Sequence, residues 1–398
     1  MKICIYAHSL PPIIGGAQTY QYDLAISLGK MGHDVLVLTG TLPKNLLKDE
    51  SKYRSKYYKI VRIDGFRESI KLNNELQSVL FKTYFEIKKF NPDIVYSNGY
   101  IPCMNICMIK KSLGNFKHVF SYHSTPEIDV GKLVGVWPGQ LDLEKSLANF
   151  IFGQNNIDYY LACSFNYLNT VKKYIMPNIK KYKVIYYGVD FNKFSYKKIV
   201  KRQKLKLKDK DIILLCPVRM IERKGILDML NTVKILKDNP KIGNNIKLII
   251  PTSKLSERNE FYMEVKTRIK DLKLNNNIKI ISDKFLINDM PTLYALSDVM
   301  ILPSYAEGLG IVLLESMSMK KPVIATDIPG VNEVVKHEKT GLLVPIKSPK
   351  SIALAVERII FDEKLRNNIV EGGYKFVSKN FNLEIQVKEI EKLFKSIL

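Results

Sequence analysis

The chain has 398 residues, 46% of them hydrophobic, which is enough for two or three domains with sizeable cores. The formal net charge is +23, and no apolar run approaches the roughly 18 residues a membrane span requires. The opening MKICIYAHS is too short for a signal-peptide core and reads as a buried first strand, so a cytoplasmic location is expected.

Cys4, Cys103, Cys107, Cys163 and Cys216 form no CxxC pair and no zinc spacing. They read as reduced, mostly buried thiols, with no metal expected. Residues 1–190 carry 24 Lys and Arg against 15 Asp and Glu, so the positive excess is spread over both halves. Two readings stay open: a solvated basic surface, or attraction to an anionic membrane face or phosphorylated substrates. A nucleic-acid partner is not expected, because no helix-turn-helix, zinc-finger or RNP-like pattern is present.

Short apolar runs alternate with helical periodicity, which predicts parallel sheets covered by helices. The first series of strands falls at 2–8, 34–40, 60–63, 93–99, 118–123, 159–164 and 183–188. Helices are predicted over 17–31 and 73–90 among them. The second series falls at 212–219, 246–250, 278–282, 298–304, 322–327 and 341–345. Between the series, KKIVKRQKLKLKDK (197–210) has eight basic residues in fourteen and no apolar pattern. It is the expected domain boundary, dividing residues 1–193 from 211–380 with a linker over 194–210. An amphipathic helix closes the sequence from about residue 381 to 398.

Sheets of this kind bind ligands at the carboxyl ends of their strands, so the polar residues there are the candidates. Arg219 ends one apolar run, and Lys224 and Gly225 follow in RMIERKG, a pattern suited to a diphosphate or to an ordinary basic surface. The segment DVMILPSYAEGLGIVLLESM then gives a strand, a turn, Gly-Leu-Gly and a helix. Gly308, Leu309, Gly310, Ile311 and Val312 would bring backbone N–H groups and the helix dipole to an anion. Glu307 and Glu315, eight apart, supply carboxylates suited to sugar and ribose hydroxyls. Gly330, in TDIPGVNEVV, is read as a tight turn beside the same crevice.

Near the amino terminus, Gly15 and Gly16 open a helix after a Pro-rich loop, without the dinucleotide or P-loop spacing. His123 ends an apolar run at the crevice edge and is read as an acceptor or sugar contact, with His8 a weaker candidate. His33 reads as a structural turn residue. Ser97, Asn98, Tyr100, Glu127 and Trp137 are read as acceptor contacts or as packing.

Taken in order, PPIIGGAQTY, LAISLGKMGHDVLVLT, PDIVYSNG, YHS, VIYYGVDFNKF, VRMIERKG, PSYAEGLGIVLLES and IPGVNEVVKHEKTGLLVP resemble glycosyltransferase family 4 across nearly the whole chain. The resemblance implies the GT-B fold, two Rossmann-like domains with parallel sheets facing a central crevice. It implies that the second domain holds a nucleotide-sugar donor, UDP- or GDP-linked, and the first a saccharide or lipid-linked acceptor. Arg219 and Lys224 would then bind the diphosphate, Glu307 the donor sugar and Glu315 the ribose. Gly16 would approach the donor phosphate, His123 would line the acceptor side, and the last helix would cross back to the first domain. The chain departs from the family at Pro251-Thr252-Ser253, where a Gly-containing turn is usual. The implied chemistry is transfer with retention and without a metal or other cofactor; Asp209-Lys-Asp211 matches a metal motif only in letters. A nucleotide-sugar epimerase of the same fold, a phosphorylase and a catalytically silent binding protein are the alternatives. The basic charge would also suit peripheral binding at the inner face of a membrane.

Overall fold

A computed structural model describes residues 1–13, 15–66, 75–121, 146, 156–174, 179–196, 202–205, 207–252, 260–282 and 290–398. His123, Glu127, Trp137 and Ser253 lie outside them. The chain forms two compact units, with Gly188–Leu383 in the second and the described residues up to Tyr187 together with Glu384–Leu398 in the first.

The first unit holds β1 (Lys2–Ala7), β2 (Asp34–Gly40), β3 (Lys59–Ile63), β4 (Ile94–Asn98), β5 (Lys117–Ser121), β6 (Tyr159–Ala162) and β7 (Tyr182–Val184). Its helices are α1 (Gly16–Lys30), α2 (Glu75–Phe90), α3 (Tyr100–Leu113) and α4 (Phe165–Tyr174). The strands form one parallel sheet in the order β3-β2-β1-β4-β5-β6-β7. Parallel strands are covered on both faces, so they must be apolar throughout rather than alternating. In β1, Ile3 through Ala7 are all fully buried.

The second unit holds β8 (Ile212–Leu215), β9 (Ile246–Thr252), β10 (Ile278–Ser282), β11 (Val299–Leu302), β12 (Val323–Thr326) and β13 (Leu342–Val344). These pair in parallel in the order β10-β9-β8-β11-β12-β13. Around them lie α5 (Ile226–Asp238), α6 (Glu260–Asp271), α7 (Met290–Leu296), α8 (Ile311–Ser318), α9 (Val331–Val334), α10 (Pro349–Phe361) and α11 (Glu363–Asn380). Both sheets reverse their strand order once, between β1 and β4 and between β8 and β11. At such a reversal the neighbouring crossovers leave in opposite directions and open a crevice at the strands' carboxyl ends.

Within the second unit, its first residues pair with its last. Val189 donates to the Phe381 carbonyl at 2.8 Å, and Leu383 donates to that of Val189 at 3.1 Å. Gly188 permits this approach, since a Cβ there would sit 2.4 Å from the Leu383 Cα. The last helix, α12 (Leu383–Ile397), packs on the first unit. Phe394 is fully buried with its ring 5.9 Å from that of Tyr96. Glu391 reaches the His33 Nε2 at 2.9 Å, and Glu389 the Lys183 ammonium at 2.7 Å. His33 is thus a structural residue that fastens α12 as well as ending a turn.

The described part of the basic stretch lies within the second unit rather than between the units. Arg202 forks onto the Asp298 carboxylate at 2.9 and 3.2 Å and also donates to the carbonyls of Asp209 and Asp211. Replacing Phe394 by Ala should destabilise the first unit by about 3–5 kcal/mol through lost burial and an unfilled cavity. Denaturant unfolding followed by a probe in that unit checks this; an unshifted midpoint would show that α12 does not complete the core.

Candidate active site

The second sheet's reversal point is built from the loops after β8 and β11. After Leu215 the chain leaves the ladder through Pro217, which has no N–H to donate, and reaches Arg219 at the surface. A 3₁₀ turn over Glu222–Lys224 follows and ends at Gly225, whose φ of 68° starts α5. A Cβ at Gly225 would lie 2.1 Å from the Pro303 carbonyl oxygen, so the two loops touch through backbone. The contact is locked by Tyr305 N–H donating to the Arg223 carbonyl at 2.8 Å and by the Arg223 guanidinium donating to that of Ala306 at 3.1 Å.

Within this frame the Lys224 ammonium donates to the Glu307 carboxylate in a short contact. The Ser304 hydroxyl donates to the same carboxylate oxygen at 2.7 Å. Both charged side chains are almost wholly buried, at 11% and 12% exposure. Thr326, at the end of β12, donates to the Ser304 carbonyl and fixes the turn from the other side. Gly330, at φ 85°, passes over the turn so closely that a Cβ would meet the Gly308 and Glu307 carbonyl oxygens at 2.5 and 2.6 Å.

Burial by itself would raise the Glu307 pKa, but the Lys224 charge and the hydrogen bonds from Lys224 and Ser304 hold it below the usual carboxylate range. For Lys224, burial lowers the pKa, Glu307 opposes that, and Arg223 and Arg219 add to the lowering. Glu307 thus lies beside Lys224 and Arg223, with Arg219 acting on Lys224. Cations gathered in this way suit a diphosphate. Gly310, at φ 82°, starts α8, and neither a capping side chain nor an acid in the first turn covers its N-terminus. Those N–H groups therefore add a partial positive charge on the same side of the turn.

The sequence candidates divide as follows. Lys224, Glu307, Gly308, Leu309, Gly310, Ile311 and Val312 share one pair of loops, with Arg219 close enough to perturb Lys224. Glu315 is buried on α8 and accepts from the Tyr294 hydroxyl at 2.6 Å through Oε2. Gly15 and Gly16 sit at the start of α1, at the reversal point of the first sheet, where Gln18 folds back to Ser9 at 2.9 Å. His123 is outside the described residues.

Ser97 does not meet its acceptor-contact reading. It is fully buried and bonded to the His118 Nε2 at 2.7 Å, while Nδ1 of that ring donates to the Asn156 carbonyl at 2.9 Å. His118 also lies with Cys103 and Cys107, their ligand atoms within 4.8 Å of one another, the one such trio among the described residues. Both ring nitrogens are already hydrogen-bonded, so the trio is a packed polar knot. Sequence reasoning missed Ser304, Arg223 and Tyr294 as site residues. The first two sit inside the motifs already singled out; Tyr294 lies on another helix and leaves no signal in spacing.

The arrangement matches known proteins in both halves. Residues 14–193 match "Glycosyltransferase Family 4" and residues 197–376 match "Glycosyl transferases group 1". The chain belongs to this glycosyltransferase family. It is similar along 99% of its length to an uncharacterized glycosyltransferase of Methanocaldococcus jannaschii, at 26% identity over 98% of that protein. It is 26% identical to an Escherichia coli UDP-Gal:α-D-GlcNAc-diphosphoundecaprenol α-1,3-galactosyltransferase, over 70% of this chain and 67% of that one. Among solved structures, the Anabaena protein HepE in complex with UDP-glucose superposes with a TM-score of 0.79 at 20% identity, over all of both chains. The fold is GT-B, and the chain is a glycosyltransferase using a nucleotide sugar.

UDP affinity should fall as pH rises toward the ordinary lysine range, because a lowered Lys224 pKa loses its proton below 10.5. Lys224→Arg, which stays charged, should flatten that fall. Calorimetric titration across pH checks it; identical profiles for the two proteins would exclude Lys224 from the phosphate site.

Proposed function

We propose that this protein is a retaining, metal-independent glycosyltransferase moving a sugar from a UDP- or GDP-linked donor to a hydroxyl of a saccharide or lipid-linked acceptor. The observation that carries the reading is the buried Lys224–Glu307 pair, set beside the uncapped start of α8 at the reversal point of the second sheet. The UDP-glucose in HepE and the UDP-Gal and lipid-linked acceptor in the Escherichia coli relative's name support the substrate classes.

Arg219 and Lys224 are assigned to the diphosphate, with the backbone from Gly308 to Val312 completing its cradle. Glu307 is assigned to the donor sugar's hydroxyls, and Glu315, held by the Tyr294 hydroxyl, to the ribose. The roles of Gly15, Gly16 and His123 rest on the family resemblance. In the reaction, the bond from the sugar's anomeric carbon to the diphosphate oxygen breaks as the acceptor oxygen bonds to the same face. The acceptor's proton passes to the departing phosphate oxygen. Negative charge grows on the leaving group, and fixed cations and N–H dipoles stabilise it without solvent reorganisation. In this reading Arg219, Lys224 and the start of α8 supply that stabilisation in place of a divalent ion.

Lys224→Ala should lower turnover by roughly 100- to 1,000-fold, about 3 kcal/mol, as for loss of one preorganised charge-stabilising group. Near-normal turnover in the purified variant would remove the diphosphate assignment. The wild-type reaction run in excess EDTA should keep its full rate and give product with the donor's anomeric configuration by NMR. A requirement for manganese or magnesium, or an inverted product, would refute the corresponding part of the reading.

A further inference from the structure

Away from the active site, α2 carries an unusual outer face. Its buried stripe is Val79, Thr83 and Ile87, facing the first unit's core. Its opposite stripe runs through Ser78, Phe81, Lys82, Phe85, Lys88 and Lys89, all exposed and recurring at helical spacing. Phe81 and Phe85 are 65% and 59% exposed, the two most exposed phenylalanines among the described residues. Their rings stack 6.4 Å apart, and Tyr84 meets Phe85 edge-on at 5.6 Å. The Lys88 ammonium lies 5.5 Å from the Tyr84 ring centre.

Two large aromatic rings held together in water cost free energy that a soluble surface ordinarily avoids. Lysines beside them decide what would cover the rings. An apolar protein groove would have to desolvate three ammonium groups, whereas a lipid surface accepts rings at its acyl boundary and ammonium groups among its phosphates. The neighbouring carboxylates are few: Asp64 lies 3.5 Å from Lys82, exposed Glu75 stands at the N-terminal end of the stripe, and half-buried Glu86 lies to one side. The +23 chain approaches an anionic surface with the field in its favour.

We propose that the exposed face of α2 seats this protein on an anionic lipid bilayer, Phe81 and Phe85 entering the interface and Lys82, Lys88 and Lys89 pairing with lipid phosphates. The helix lies in the surface plane; at 16 residues with this much charge it does not cross. The inference does not rest on the catalytic assignment, although a surface-bound enzyme would meet a lipid-linked acceptor in two dimensions.

The test is co-sedimentation of the full-length protein with vesicles of phosphatidylcholine alone or mixed with phosphatidylglycerol. Binding is expected to the mixed vesicles and to weaken as salt rises. Phe81→Ser with Phe85→Ser should reduce binding about tenfold or more. Lys82→Gln, Lys88→Gln and Lys89→Gln together should reduce it roughly 100-fold, at about fivefold per lysine. The substituted side chains are exposed, so melting temperature and UDP binding should stay at wild-type values and separate this failure from failure of the active-site reading. Equal binding to neutral and anionic vesicles, or wild-type binding by the Phe variant, would overturn the proposal. So would a wild-type dimer that the Phe substitutions split without weakening lipid binding, which would give the face to a second copy.

Discussion

The second unit is organised around one buried carboxylate. Glu307 accepts from Lys224 and Ser304 on the same oxygen, and Arg223 and Arg219 stand behind Lys224. A buried charge is tolerated only when it is paired and hydrogen-bonded. Here the pairing is with Lys224, and the Ser304 hydroxyl bonds the same oxygen. The backbone keeps the cluster from collapsing on itself: Gly225 lies against Pro303, Gly330 against Glu307 and Gly308, and Thr326 holds the Ser304 carbonyl. Charges held rigidly by backbone contacts need little reorganisation when charge develops beside them.

Strands were legible because the sheets are parallel. Each strand is covered on both faces, so its residues form an unbroken apolar run that stands out from the helical periodicity around it. Strand ends were less legible. IILLCPVR is apolar through Val218, yet the ladder stops at Leu215, because Pro217 cannot donate and the chain turns toward the site. Apolarity records burial; hydrogen-bond pairing ends earlier. The basic stretch shows a related limit. Composition cannot distinguish a solvated arginine from Arg202, which forks onto Asp298 and ties the stretch to the second sheet.

The site was legible where its parts are local in sequence. Lys224 and Glu307 each lie in the loop that follows a strand, and strand, turn and glycine mark both places. Ser304 was hidden in plain sight, since a serine three residues before a glutamate occurs everywhere by chance. Tyr294 could not be found at all: its bond to Glu315 depends on how α7 packs against α8. Ser97 takes the packing alternative of its two readings. Its position at a strand's carboxyl end resembled that of a ligand contact, but its hydroxyl is committed to His118. Position along a strand says which residues can reach a crevice, and only the neighbouring side chains say which are still available.

The large positive charge separates in the same way once burial is known. Lys224 is buried and its charge is concentrated by low dielectric, so it acts at short range on a single partner. Arg202 and Lys110 are partly buried and spent on carboxylates and carbonyls, Lys110 reaching Asp158 at 2.6 Å and the Asn156 carbonyl at 3.1 Å. They hold loops in place and leave little field outside. Lys82, Lys88 and Lys89 are exposed, so water and salt weaken each one and only their number on one face gives them effect. The same residue type therefore occurs as a buried ion pair, as an architectural tie and as an exposed charge. What assigns each lysine its part is how far the fold withdraws it from water.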